Sequence, residues 1–104
     1  MLVVGQVSTD GLVPQIPGFH FRRFGAVTPA LLSDIDPEVI LSALIAPDFD
    51  AMDLARLLSV HGFTGRYRAV AANLPNRRGV VAEVRAASPG LDFDVFVMGD
   101  VRRL

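Results

Sequence analysis

The stretch Glu38–Leu58, EVILSALIAPDFDAMDLARLL, decides how this chain is read. Its first part, Val39–Ile45, is an almost unbroken apolar run, the pattern of a parallel strand buried on both faces rather than one with a wet side. Asp36-Pro37 in front of it marks a boundary, because the residue before a proline is pushed out of the helical region. Beyond the loop proline Pro47, Asp50 stands where a helix needs its N-cap. Asp53 then sets negative charge against the positive end of the helix dipole. Leu54, Leu57, Leu58 and His61 recur at i, i+3, i+4 and i+7, which is one helical face. Gly62 suits the left-handed residue that ends such a helix. Strand, loop and amphipathic helix follow without a gap.

The same alternation continues downstream. Arg66–Ala72, RYRAVAA, reads as a strand. Pro75 is suited to open the next helix, whose buried stripe is Val80, Val81, Val84 and Ala87, and Ser88-Pro89-Gly90 stops it. Leu91–Met98, LDFDVFVM, is a further strand with Asp92 and Asp94 on one face. Arg66 and Arg68 are expected beside those two carboxylates, where opposite charges fix register. Strands separated by helices of this length imply right-handed βαβ crossovers and a parallel sheet. Upstream, Leu2–Val7 and Phe19–Phe24 both have strand character, and Thr28-Pro29 begins a short helix carrying Leu31, Leu32 and Ile35. The segment between those strands, Ser8–Gly18, holds two prolines and two glycines. It barely reaches the length of a parallel crossover and its composition opposes helix. Either an irregular loop joins two parallel strands or the pair is an antiparallel hairpin arm; the loop is the favoured reading.

Composition limits the chemistry. A chain of 104 residues, 51% of them apolar, supports one domain with a core that needs no staples. It has no cysteine, which excludes disulfides, thiolate catalysis and Cys-ligated metal. All ten basic residues are arginine, in keeping with a GC-rich coding sequence, so no lysine-dependent chemistry is available. The net charge of −1 supplies no field to steer the protein onto nucleic acid or an anionic membrane. No apolar run approaches the ~18 residues of a membrane span, and MLVVGQVSTDG has neither the basic flank nor the apolar length of a signal peptide. The expected location is the cytoplasm.

The frame PEVILSALIAPDFDAMDLARLL resembles the centre of a response-regulator receiver, with Pro47 and the helix in register. The resemblance covers about Phe19 to Met98 and extends weakly to the first strand. It implies a flavodoxin-like α/β fold, five parallel strands in the order 2-1-3-4-5 with helices on both faces. A receiver site needs two acids after the first strand, an acceptor Asp after the third, a hydroxyl after the fourth and a Lys after the fifth. The acids hold Mg²⁺, and the hydroxyl and ammonium hold the phosphoryl oxygens. Here the acceptor position is Ala43, whose methyl group cannot attack a phosphoryl donor. The first strand offers Gln6-Val7 or Ser8-Thr9-Asp10, the fourth Ala71 or Ala72, and the fifth Val97 or Met98. Asp10 alone survives as a candidate ligand, and one carboxylate makes no Mg²⁺ site. The expected catalytic, cofactor and metal complement is none.

The receiver's first and last helices are also expected to be missing or reduced, since the chain stops at Leu104, just past Gly99–Arg103. Those two helices cover one face of the sheet. Five strands ~4.8 Å apart and ~17 Å long would leave about 400 Å² bare in projection. Patches of that size mark interfaces. Phe21, Val39, Leu41, Ala43, Phe93, Val95 and Val97, or their alternates, are expected to line it.

The remaining polar residues have ordinary explanations. Asp48, Asp50 and Asp53 fit capping better than calcium, because no Gly or Glu completes a calcium loop. The pairs Arg22-Arg23, Arg77-Arg78 and Arg102-Arg103 occur in a neutral chain with a single Tyr and no Trp, a poor basis for nucleic-acid binding. His61 sits at a helix end and His20 has no acid or nucleophile near it in sequence. Ser42 lacks a nucleophile elbow, and no glycine motif supports nucleotide binding. The leading expectation is a non-catalytic, receiver-like interaction module that pairs with itself or another protein through the bare face. The alternatives are a flavodoxin-like domain with a small molecule at the carboxyl ends of the strands, and a subunit completing its sheet on a larger protein.

Overall fold

A computed structural model describes residues 1–5 and 17–98. Five strands form one parallel sheet: β1 (Leu2–Val4), β2 (His20–Arg22), β3 (Val39–Ala43), β4 (Arg66–Ala71) and β5 (Asp92–Val97). Their spatial order is β2-β1-β3-β4-β5, the flavodoxin-like arrangement. β1 and β2 run parallel, with Leu2 beside His20 and Val4 beside Arg22, so the first pair is not a hairpin. The connection between them, 6–16, lies outside the described residues.

Three α-helices link the later strands: α1 (Pro29–Ile35), α2 (Ala51–Val60) and α3 (Arg77–Ala87). Each crossover steps across the sheet in the same direction. Right-handed connections therefore place all three on one face. The core lies between that face and the helices, in a single cluster that joins Leu2, Ile40, Tyr67 and Phe93 of the sheet to Leu32, Leu54, Leu58, Val81 and Val84. Full burial of a Leu side chain contributes about 2 kcal/mol, so Leu54 and Leu58 anchor α2.

Local chemistry sets the helix ends. Thr28 accepts a hydrogen bond from the Leu31 N–H at 3.1 Å, and Pro29 occupies the first helical position, where no N–H is needed. α1 ends at Asp36, a left-handed residue with φ 49° whose N–H donates to Leu32 O, and Pro37 prevents continuation. Asp50 and Asp53 form a reciprocal capping box on α2, at 2.9 and 3.1 Å. Gly62 follows α2 with φ 75°.

The structure also corrects several expectations. α3 begins at Arg77 with Asn76 as its cap, rather than at Pro75, because the Asn76 side chain accepts from Gly79 N–H. Ala87 is exposed; the helix turns Ser88 inward instead. β3 stops at Ala43, since Ile45 bridges Asp50 in the turn that leads into α2. Phe24 leaves the strand for a 3-10 turn, where it stacks on Phe49 with ring centroids 4.9 Å apart.

Candidate functional site: the carboxyl edge and the open sheet face

The carboxyl edge is where a receiver performs its chemistry. Ala43 closes β3 and is exposed there. Ala71 closes β4 and pairs with Val97 of β5, while Ala43 pairs with Val70 and Val70 with Phe96. Ala43, Ala71 and Val97 thus come together along one edge. β1 ends at Val4 opposite Ser42, so the residue that follows it is Gly5, whose N–H is bonded to Arg22 O. Asp10 lies outside the described residues. Asp50 and Asp53, which follow β3, are committed to the α2 capping box. Among the described residues, no group of three metal-ligating side chains converges. The alkyl side chains of Ala43, Ala71 and Val97 can neither hold a divalent cation nor attack phosphorus.

Behind this edge lies a buried polar pair. Tyr67 is fully buried, and its phenol meets the Ser42 hydroxyl at 2.6 Å. Burial pushes the phenol's pKa far up; the Ser42 hydrogen bond opposes this and the Asp50 carboxylate adds to it. Sequence reasoning missed this pair, having weighed Ser42 only as a nucleophile. Instead its hydroxyl is bonded to Tyr67 and to Ala43 O, at 2.8 Å.

No α-helix among the described residues covers the opposite, open face of the sheet, where register fixes which residues share a row. Phe21, Val3, Leu41, Arg68 and Asp94 form the middle row across all five strands. Val39, Arg66 and Asp92 lie on its amino side, and Ala43, Val70 and Phe96 on its carboxyl side. Phe21, Val39 and Leu41 therefore share this face, as expected. Phe93, Val95 and Val97 do not: they register with Tyr67, Ala69 and Ala71 on the helix-covered face, where Phe93 and Val95 are 0% and 1% exposed. A one-residue change in strand parity exchanges every side chain between faces. β5 instead contributes Asp92, Asp94 and Phe96 to the open face, the last 54% exposed. The expected Arg66/Arg68 and Asp92/Asp94 pairing already contained this parity.

Charge divides the open face. Its β2-β1-β3 side is aliphatic and aromatic. On its β4-β5 side, Arg68 lies 3.2 Å from the Asp92 carboxylate and donates to Asp92 O at 2.8 Å, while Arg66 reaches Asp92 at 4.0 Å. Asp94 pairs with Arg77 from α3 rather than with Arg68. Such exposed pairs are worth at most about 1 kcal/mol each, so they order the surface more than they stabilise the fold.

Both sheet edges carry arginines bonded to backbone. At β2, Arg22 donates to Phe21 O. At β5, Arg77 Nε donates to Val95 O at 2.9 Å and Arg85 Nε to Phe93 O at 3.0 Å. The Val95 N–H is taken by the Asp94 carboxylate. Three outward carbonyls and one outward N–H that could template an added strand are thus occupied.

A cleft of about 680 Å³ opens at the amino ends of β3, β4 and β5, lined by Pro37, Glu38, His61, Phe63, Gly65 and Asp92 among others. Ligands of flavodoxin-like sheets bind at the opposite, carboxyl end. His61 borders this cleft as the C-cap of α2, and His20 is an exposed residue that begins β2. No helix among the described residues is long and apolar enough to cross a membrane. Comparison with protein-family models, curated proteins and solved structures gives no match to this chain.

Proposed function

We propose that this protein is a non-catalytic, receiver-like regulatory module of the cytoplasm that cannot be phosphorylated and that works by protein–protein contact, with a second copy of itself against the open sheet face. The observation that carries this reading is the pairing of an intact 2-1-3-4-5 frame with an apolar carboxyl edge of Ala43, Ala71 and Val97. A fold that keeps its scaffold and has alkyl groups at its reactive positions is suited to binding rather than turnover. The aliphatic half of the open face, Phe21, Val3, Val39 and Leu41, supports contact there, because apolar patches of that kind mark interfaces.

The test has two arms. Incubation with acetyl phosphate and Mg²⁺ should leave the intact mass unchanged, and a phosphoryl adduct would refute the non-phosphorylatable reading. Light scattering across a concentration series should show a rising mean mass; a monomer at every concentration would refute self-association. Flavin or nucleotide copurifying with the protein would favour a ligand-binding domain instead.

A further inference from the structure

Independently of what covers the open face, we propose that the groove between α3 and the edge strand β5 docks an extended acidic segment of a partner protein, with carboxylates on alternate residues. The groove holds about 450 Å³ and is lined by Arg77, Arg78, Val81, Ala82, Arg85 and Asp94. Three arginines meet one carboxylate there. Asp94 pairs with Arg77, and among the described residues Arg78 and Arg85 form no ion pair. The chain as a whole carries a net charge of −1, so this positive excess is local.

Spacing gives the groove its selectivity. Arg77, Val81 and Arg85 follow at i, i+4 and i+8, one stripe of α3, and its arginines lean onto β5. Arg77 Nε donates to Val95 O at 2.9 Å and Arg85 Nε to Phe93 O at 3.0 Å. These carbonyls are two residues apart on one strand edge, which anchors the two guanidinium groups ~6.6 Å apart. Side chains i and i+2 on one face of an extended chain have the same separation. Two acids with one residue between them therefore match both anchors, whereas acids at i and i+3 point to opposite faces.

The anchoring bonds use Nε, so the terminal nitrogens of Arg85 remain as a fork for a carboxylate. Holding each arginine by its Nε also lowers the side-chain entropy that binding would cost. Strand addition is a poor mode here, because Phe93 O, Val95 O and the Val95 N–H are already bonded. Nucleic acid fits less well, since no aromatic ring lines the groove for a base to stack on.

Fluorescence anisotropy of labelled peptides, with the full chain at up to about 1 mM in low salt, tests the proposal. A peptide carrying Glu-Val-Glu should bind, and Gln-Val-Gln and Glu-Val-Val-Glu counterparts should bind about tenfold more weakly or worse. Arg85→Gln should weaken Glu-Val-Glu binding about tenfold, and so should Arg78→Gln, which uncovers no edge carbonyl. Arg56→Gln, exposed on α2, should leave it unchanged. Equal affinity for the two acid spacings would overturn the proposal, as would undiminished binding by both groove variants or no binding of any peptide. Tighter binding of an oligothymidylate of equal charge would overturn it in favour of nucleic acid. Self-association plays no part in these outcomes, so failure here leaves the reading of the open face standing.

Discussion

The Ser42 hydroxyl and the Tyr67 phenol meet at 2.6 Å under the helices, across neighbouring strands β3 and β4. Ile40, not Ser42, is Tyr67's direct partner, so the phenol reaches its diagonal neighbour. The Ser42 hydrogen goes to Ala43 O, which makes Tyr67 the donor in the pair.

That direction predicts unequal mutants. Tyr67→Phe removes the donor but leaves Ser42 bonded to Ala43 O, at a cost of about 1 kcal/mol. Ser42→Ala strands the phenol without an acceptor in the core, costing about 2 kcal/mol or more. Urea unfolding of both variants checks the order; Ser42→Ala emerging as the milder change would reverse the assignment.

Alkaline titration probes the same tyrosine, the only one in the chain. Burial holds its folded pKa above the ordinary value near 10. Above that pH the unfolded chain has lost a proton that the folded chain keeps, so stability falls as pH rises; below it this group contributes no slope. Phenolate absorbance should appear only together with unfolding, and Tyr67→Phe should flatten the stability decline above about pH 10.

Gly65 has no room for a side chain. A Cβ there would lie 2.5 Å from Glu38 O and 2.6 Å from the Phe63 ring. Because one obstacle is backbone, Gly65→Ala should cost about 2 kcal/mol or more and lower the melting temperature. Gly79→Ala meets the side-chain amide of the Asn76 cap. The ~1 kcal/mol loss of that cap is offset by alanine's ~1 kcal/mol helix preference, so the net change should be near zero.

Removing the edge arginines should change solubility more than stability. The double substitution Arg77→Ala with Arg85→Ala uncovers Val95 O and Phe93 O on β5. Exposed edges pair with other chains, so aggregation followed by light scattering at fixed concentration should accelerate. An unchanged rate would show that the arginines do not guard the edge.

Ala43→Asp should not create a phosphorylation site. A carboxylate at the end of β3 would share its row with Val70 and Phe96, with Ala71 and Val97 one residue further on, and no group of three metal-ligating side chains converges among the described residues. Acetyl phosphate with Mg²⁺ should leave its mass unaltered; labelling would mean that other groups complete the site.

Local rules made much of the fold legible from residues alone. The apolar run at Val39, the Asp50–Asp53 box and Gly62 each announce their element through short-range chemistry, and the alternation of strands and helices then leaves few topologies. That Ala43 itself cannot accept a phosphoryl group was equally readable, because a methyl group is inert wherever it lies.

Face assignment was not legible, because alternation along β5 gives two interchangeable sets and only registry with β4 selects between them. That pairing sends Phe93 and Val95 beneath the helices and Phe96 to the open side. The arginine contacts at the edges and the phenol that reaches diagonally to Ser42 likewise depend on residues far apart in the chain. Short-range stereochemistry wrote the elements, while the long-range fit of strand against strand chose which atoms face water.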